Sequence, residues 1–268
     1  MQELVRGMWP AAALRELWEY RVLVRALVDR NLKLRYQRTI LGVLWALLNP
    51  MLTTMVLVGV FQGILRIETP NYWAFLISGY FPWVFTLHTL GTAAGIVTGH
   101  SNMSRSVRFP AEALVASAVS SRLVEFLIEL GLVIVVLAVF LHHQPMVSLL
   151  ALPFVILLQV LLTTGIAMPI AALAVFFDDV QYLLTVVLML LTLISPVYYP
   201  ISYAPESIRG ILAFNPFAGI LTLYQTILYE GKLPPLELFA STAAMSVVIF
   251  VAGLAAFRWK RGYFAETV

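Results

Sequence analysis

The sequence of 268 residues contains no cysteine and few charged residues. The first absence excludes disulfide bonds, thiolate metal sites and a cysteine nucleophile. Asp, Glu, Lys and Arg together make up 12% of the chain, roughly half their share in a typical soluble domain. Hydrophobic residues make up 61%, and the mean hydropathy is +0.90. The composition therefore predicts an integral membrane protein with little length left for a soluble domain.

Most signals of an enzyme are also missing. The sequence has no G-x-x-x-x-G-K-[ST] phosphate loop, so the chain cannot hydrolyse ATP by that route. His142 and His143 are adjacent but lack further metal ligands, and the loop around Asp178-Asp179 is too short for a nucleotide-sugar site. We therefore predict no catalytic residue, no metal and no cofactor in this chain. The first forty residues are charged throughout and do not read as a signal peptide.

The apolar runs predict an all-α integral membrane protein with six transmembrane helices. A span needs roughly 20 mostly apolar residues. The segments that meet this length are Gly42–Leu65, Trp73–Thr98, Ala113–Leu141, Val147–Phe177, Val180–Tyr199 and Leu238–Phe257. A seventh apolar segment, Ile211–Tyr229, carries an Asn-Pro pair near its start and is the one whose topology is in question.

The Lys and Arg residues decide between six spans and seven. Six spans place thirteen of these residues on the cytoplasmic side and three outside, as the positive-inside rule favours. A crossing by Ile211–Tyr229 would move the C-terminal basic cluster outside. We therefore predict a re-entrant hairpin on the outer side, with breaks at Pro200, Pro205 and Pro216. The net charge of +3 is explained by this asymmetry, and no nucleic-acid partner is predicted.

The prediction is thus a single transmembrane domain with both termini in the cytoplasm. Its parts are a cytoplasmic or interfacial N-terminus (1–41), spans one to five (42–199), the outer hairpin (200–237), span six (238–257) and a cytoplasmic tail (258–268). Within the first part, Ala13–Tyr36 shows an imperfect amphipathic pattern. It predicts an interfacial helix, with a cytoplasmic helix packed on a partner as the alternative.

Ionisable residues within the third predicted span form one set of candidate site residues. Arg122, Glu125 and Glu129 follow each other at spacings of three and four, so a helix places them on one face. Such residues at membrane depth usually face a bundle interior or a wet cavity. They predict a polar contact near the inner mouth of a pathway or a structural pair that braces a neighbouring helix. The alternative is a local pair of Arg122 and Glu125 near the inner headgroups. Gly91, Gly95 and Gly99 form a smooth face on the preceding helix, which favours close helix packing.

Aromatic residues gather at the predicted outer ends of the spans. They are consistent with an interfacial belt or, alternatively, with rings that line a path and stack on sugars. The polar segment between the second and third spans, GHSNMSRSVRFPAE, predicts a short cytoplasmic helix with Ser101 as a cap. The alternative there is a plain loop with two topogenic arginines.

Three stretches resemble a known family. They are NLKLRYQRTILGVLWALLNPML, FFDDVQYLLTVVLMLLTLISPVYYP and FNPFAGIL. In order and spacing they resemble the ABC-2 permeases that export lipid-linked O-antigen, capsule or teichoic acid polymers, and the resemblance covers nearly the whole chain. One departure is Phe177-Asp178, where the family usually has Arg-Asp.

The resemblance implies a homodimer in the bacterial inner membrane with two separate ABC ATPase subunits, which bind the ATP and Mg²⁺, and a lipid-linked glycan as substrate. It implies a coupling helix that contacts the ATPase, here His100, Ser101, Asn102, Arg105, Arg108 and Phe109. It also implies an outer gate or substrate path, here Tyr198, Tyr199, Tyr203, Asn215, Pro216 and Phe217. Two other functions stay open: an ABC-2 exporter of a small hydrophobic molecule or drug, and a membrane glycosyltransferase, which the lack of an acidic pair in a large loop disfavours.

Overall fold

The computed structural model describes residues 15, 18–37, 41, 42, 44–99, 110–141 and 146–260, and in these ranges it consists of helices and turns without strands. The main helices are α1 (Arg21–Tyr36), α2 (Leu44–Val58), α3 (Tyr72–Thr98), α4 (Glu112–Leu141), α5 (Leu152–Leu173), α6 (Val180–Ile194), α7 (Glu206–Ala213), α8 (Pro216–Leu228) and α9 (Leu236–Lys260). Shorter pieces are a π-helix at Gly59–Ile64, one turn at Met146–Leu149 and a 3₁₀ turn at Ile201–Tyr203.

Four helical segments among the described residues are long and apolar enough to cross a membrane. They are Leu47–Ile64, Glu112–Leu141, Val147–Leu173 and Leu236–Lys260. Two shorter apolar helices, α6 and α8, have 15 and 13 residues. Helix α3 has 27 residues and contains no Asp, Glu, Lys or Arg. The prediction of an all-helical membrane protein is confirmed, and each of the six predicted spans overlaps one of these helices.

Helix α3 lies at the centre of the bundle. It packs against α2, α4, α5, α6 and α8. Its large apolar side chains are almost fully enclosed, as Trp83 (0% exposed) and Phe81 (1%) show. This position explains why α3 is apolar on all sides, since a helix that is surrounded by others needs no polar face.

Helices α5 and α9 approach each other so closely that their backbones touch. A Cβ added at Gly165 would lie 2.6 Å from the Cα of Phe250, and one added at Gly253 would meet the carbonyl oxygen of Gly165. Of the three glycines predicted to allow close packing, Gly91 faces a neighbouring helix, since a Cβ there would lie 3.8 Å from the Leu188 side chain of α6. A Cβ at Gly95 would meet nothing within 4 Å. Small residues do allow the backbones to touch, but on a different pair of helices.

The chain turns back on itself after α6. The Asn215 side chain donates to the Ser195 hydroxyl at 3.0 Å, so the α7–α8 turn lies beside the end of α6. From there α8 runs along α3, from the Phe217 ring against Trp83 to the Tyr229 hydroxyl, which donates to the Pro70 carbonyl at 2.7 Å. Trp83 lies eleven residues along α3, or about 16 Å from its start. Helix α8 therefore begins beside the middle of α3 and ends beside its start.

Candidate functional site

Three charged side chains join the N-terminal helix to α4. The Glu125 carboxylate accepts from Arg122 at 3.2 Å, one turn earlier on the same helix, and its same oxygen pairs with Arg35 of α1. We call Arg35, Arg122 and Glu125 the ion cluster. Arg122 and Glu125 are the predicted pair, and the spacing of three brings them together as expected. The pairing with Arg35, ninety residues away, could not be read from the sequence.

The ion cluster helps to fix the position of α1 against α4. The Asn31 amide also donates to Ser121 on α4 at 3.4 Å, and Leu27 is buried at 3% exposure. The opposite face of α1 stays exposed and carries Arg30 and Lys33. An amphipathic helix is thus held against α4 at its C-terminal half by polar and apolar contacts together.

Glu129 is the third member of the predicted set, and it stands apart from the ion cluster. Its side chain is 6% exposed, and within the described ranges it has neither an ion pair nor a hydrogen bond. A buried carboxyl without a partner is costly, so Glu129 is a stronger candidate for a functional role than the paired Glu125.

Tyr198 takes part in a group of aromatic rings drawn from three parts of the chain. Its ring stacks on Phe61 of the π-helix, with centroids 5.3 Å apart and an interplanar angle of 20°. The Tyr72 hydroxyl donates to the Tyr198 carbonyl at 2.6 Å, and the Tyr80 ring lies 6.5 Å away. We call Phe61, Tyr72, Tyr80 and Tyr198 the aromatic cluster. It lies between α2, α3 and the end of α6.

The two other predicted tyrosines lie elsewhere. The Tyr199 hydroxyl donates to the Ile194 carbonyl at 2.8 Å, so this side chain folds back over the last turn of α6. Tyr203 is 53% exposed. Adjacent tyrosines therefore differ in their surroundings, and only Tyr198 belongs to the aromatic cluster.

Asn215 and Pro216 form the N-terminus of helix α8. The Asn215 side chain accepts from the Phe217 amide at 3.0 Å and so caps α8, while Pro216 occupies the first turn, where its missing N–H costs nothing. The Phe217 ring packs edge-on against Trp83 at 5.5 Å. The turn is thus anchored to both α6 and α3.

Sequence reasoning missed a buried polar network that holds α8. Gln159 of α5 donates to the Pro82 carbonyl at 2.7 Å and to the Thr86 hydroxyl at 3.2 Å. Its amide oxygen accepts from the Tyr224 hydroxyl of α8 at 2.8 Å. Gln225 donates to the Pro196 carbonyl at 2.8 Å. Gln159 is the lone amide in an otherwise apolar helix, and this was the signal that could have identified it.

A second missed contact joins the end of α9 to the start of α4. Arg258 of α9 donates to Glu112 at the start of α4 at 3.1 Å, and both side chains are buried. In the sequence these two residues are 146 positions apart, and each is simply a charged residue at the end of a predicted span.

Comparison with known proteins now decides the family. The model of the family described as "ABC-2 type transporter" matches residues 22–229. The chain belongs to the ABC-2 type transporter family. It is 36% identical over 256 residues to an "O-antigen export system permease protein RfbA" of Myxococcus xanthus, covering 95% of this chain and 98% of that protein. It is 26% identical to the protein of that description in Klebsiella pneumoniae (91% and 94% covered) and 24% identical to the "Polysialic acid transport protein KpsM" of Escherichia coli (89% and 93%).

The family match covers α2 to α8 of this ABC-2 transporter chain and all but the first residue of α1. The predicted coupling residues His100, Ser101, Asn102, Arg105, Arg108 and Phe109 lie outside the described residues. Among the residues that are described, no group of three or more His, Asp or Glu side chains could hold a metal ion. The candidate site of this transporter chain thus consists of the ion cluster, Glu129, the aromatic cluster and the anchored hairpin.

Proposed function

We propose that this chain is the membrane subunit of an ATP-driven exporter of a lipid-linked polysaccharide. The observation that carries the proposal is the similarity to an O-antigen export permease over 95% of the chain. Separate ABC ATPase subunits supply the energy, because no phosphate loop occurs in this sequence. ATP and Mg²⁺ bind on those subunits.

The topology of the proposal is six spans with both termini in the cytoplasm of a bacterial inner membrane. Helices α2 to α6 and α9 are the spans, and α7 and α8 form a re-entrant outer hairpin. The distribution of Lys and Arg supports this. So does the return of α8 from Trp83 to Pro70, because a crossing helix would end at the opposite side of the bundle.

The transport path is proposed to run along the seam of a homodimer. Of the α6 residues, all of which are described, Leu184 and Leu188 are buried, and most of the apolar face remains exposed. This face adjoins the aromatic cluster. A second copy placed against it would enclose the rings of Phe61 and Tyr198 beside a path, where flat faces can stack on sugar rings.

In this proposal the ion cluster lies at the inner end of the path, with Glu129 one turn further along α4, and the aromatic cluster lies towards the outer end. The Asn215 turn, whose Phe217 ring packs on Trp83 about 16 Å along α3, closes the path between them. ATP-driven closure of the ATPases moves the cytoplasmic loop at residues 100–109 and opens the seam. The anchoring of Asn215 to Ser195 makes the hairpin follow the movement of α6.

The export activity is tested with the full chain and its ATPase reconstituted into proteoliposomes. A lipid-linked glycan should become accessible on the far side only with ATP, and an ATPase variant that binds but does not hydrolyse ATP is the control. Transport of a small hydrophobic dye without glycan transport would identify the alternative, a small-molecule exporter. Sugar transfer by the chain alone would identify a glycosyltransferase.

The hairpin is tested separately, and the absence of cysteine makes this direct. Gly210 of α7 is exposed and has open space around it. A Gly210→Cys variant and a cysteine appended to the C-terminus are treated with a membrane-impermeant maleimide in intact spheroplasts. We expect the first to react and the second to react only after lysis. Reaction of the appended cysteine in intact cells would show that α8 crosses the membrane.

A further inference from the structure

A groove lies between the N-terminal half of α1 and the start of α4. It has a volume of about 340 Å³ and is lined by Arg21, Val24, Arg25, Val28, Asp29 and Ala116. Its size is in the range of small-ligand sites. The aliphatic side chains form its floor, and the charged side chains form its rim.

The two arginines at the rim, Arg21 and Arg25, form no ion pair with the residues that the structure describes. Arg21 donates to the Trp18 carbonyl at 3.1 Å and lies over the Trp18 ring at 5.2 Å, which holds the guanidinium beside the groove. With Asp29, the rim carries one net positive charge.

The groove lies at the depth of lipid headgroups. Helix α4 has 30 residues and is about 45 Å long, while the hydrocarbon core is about 30 Å thick. Ala116 is one turn from the start of α4, which therefore projects from the hydrocarbon. Trp18 and Val22 of the neighbouring segment are 70% and 74% exposed, as expected of side chains that lie in the interface.

We propose that this groove binds the phosphodiester headgroup of an inner-leaflet phospholipid. Arg21 and Arg25 donate to the phosphate oxygens, since charge-assisted hydrogen bonds to phosphate are what paired arginines provide. Val24, Val28 and Ala116 contact the beginning of the acyl chains. The bound lipid fills the space between α1 and α4 at the end opposite the ion cluster.

The net charge of the rim selects the phosphodiester over a diphosphate. A phosphodiester carries one negative charge, which matches the single net positive charge of Arg21, Arg25 and Asp29. The diphosphate of a lipid-linked glycan carries more negative charge and would meet the Asp29 carboxylate. The lipid site is therefore separate from the proposed transport path. It rests on the proposed function in one respect only, which is that the N-terminal side of the chain faces the inner leaflet.

Native mass spectrometry of the full-length chain tests this site. Delipidated protein in neutral detergent is titrated with dioleoyl phosphatidylglycerol, with dioleoyl glycerol as the ligand that lacks the phosphate, and with farnesyl diphosphate. The test variants are Arg21→Gln with Arg25→Gln, and Ala116→Leu, which fills the floor without changing charge. The matched control is Arg30→Gln with Lys33→Gln, which removes two exposed charges from the same helix outside the groove.

We expect both test variants to bind phosphatidylglycerol about tenfold more weakly than the parent chain, which is the effect of losing roughly one strong contact. The control variant should change this affinity less than about threefold. Dioleoyl glycerol should bind to all variants as it binds to the parent chain. Equal losses in the control and the arginine variant would reduce the effect to general surface charge and overturn the site. Tighter binding of farnesyl diphosphate, with displacement of phosphatidylglycerol, would overturn the phosphodiester assignment. Unchanged binding in both test variants would also refute the proposal.

Discussion

The hydrogen bond between Tyr224 and Gln159 should contribute measurably to the attachment of α8, and Tyr224→Phe tests it. The hydroxyl and the amide oxygen are 2.8 Å apart, and the two side chains are 0% and 1% exposed. Hydrogen bonds between helices in membranes average about 0.6 kcal/mol and reach about 1.7. Because this bond is fully enclosed, we expect Tyr224→Phe to lower the free energy of unfolding by about 1 kcal/mol.

Gln159→Leu should cost more, about 2 kcal/mol, because it also removes the donors to the Pro82 carbonyl and the Thr86 hydroxyl. The double variant should cost about 2 kcal/mol rather than the sum, since the second change removes a bond that is already lost. Unfolding in mixed micelles with increasing dodecyl sulfate gives all three values. Tyr229→Phe is the control, because its bond to the Pro70 carbonyl is exposed, and it should change stability by less than about 0.5 kcal/mol.

Two outcomes would refute this reasoning. Additive losses in the double variant would mean that the two side chains do not interact. A Tyr224→Phe variant as stable as the parent chain would mean that the amide oxygen finds another donor and that α8 does not depend on this network.

Three further results are expected. Charge reversal of Arg105 and Arg108 should uncouple ATP hydrolysis from export in proteoliposomes while the protein still inserts, and normal transport would place the ATPase contact elsewhere. Tyr198→Leu should lower glycan export at unchanged protein level while Tyr198→Trp is tolerated, because stacking needs a flat ring; Tyr199→Leu serves as the matched control, and equal export by all three would favour the interfacial belt. Gly253→Ala should lower the free energy of unfolding by about 1–3 kcal/mol through overpacking against the α5 backbone, and a neutral result in the same micelle assay would show that the two helices can separate without cost.

The parts of this structure that depend on neighbours in sequence could be predicted. Apolar runs located the helices, and the spacing of three located the Arg122–Glu125 pair. The parts that depend on distant neighbours could not. Helical periodicity indicates which side of a helix is polar but not which helix it faces, so Arg35 could not be matched with Glu125.

Small residues show the same limit. Gly91, Gly95 and Gly99 form a pattern at steps of four, and the pattern suggested close packing. The contact that forms uses Gly165 and Gly253, each a single glycine within its helix, at the point where the two backbones cross. A crossing needs only one small residue on each side, and a lone glycine produces no pattern.

The crossing of α5 and α9 also determines how far the chain can be shortened and still fold. The family match ends at residue 229, and α9 begins at Leu236, so α9 lies beyond the matched residues. The α9 backbone fills the space on α5 that a side chain at position 165 would otherwise occupy. A chain shortened to the matched region would leave that space open along the whole crossing. We therefore expect that the smallest part of this protein that folds extends past the end of the family match and includes α9.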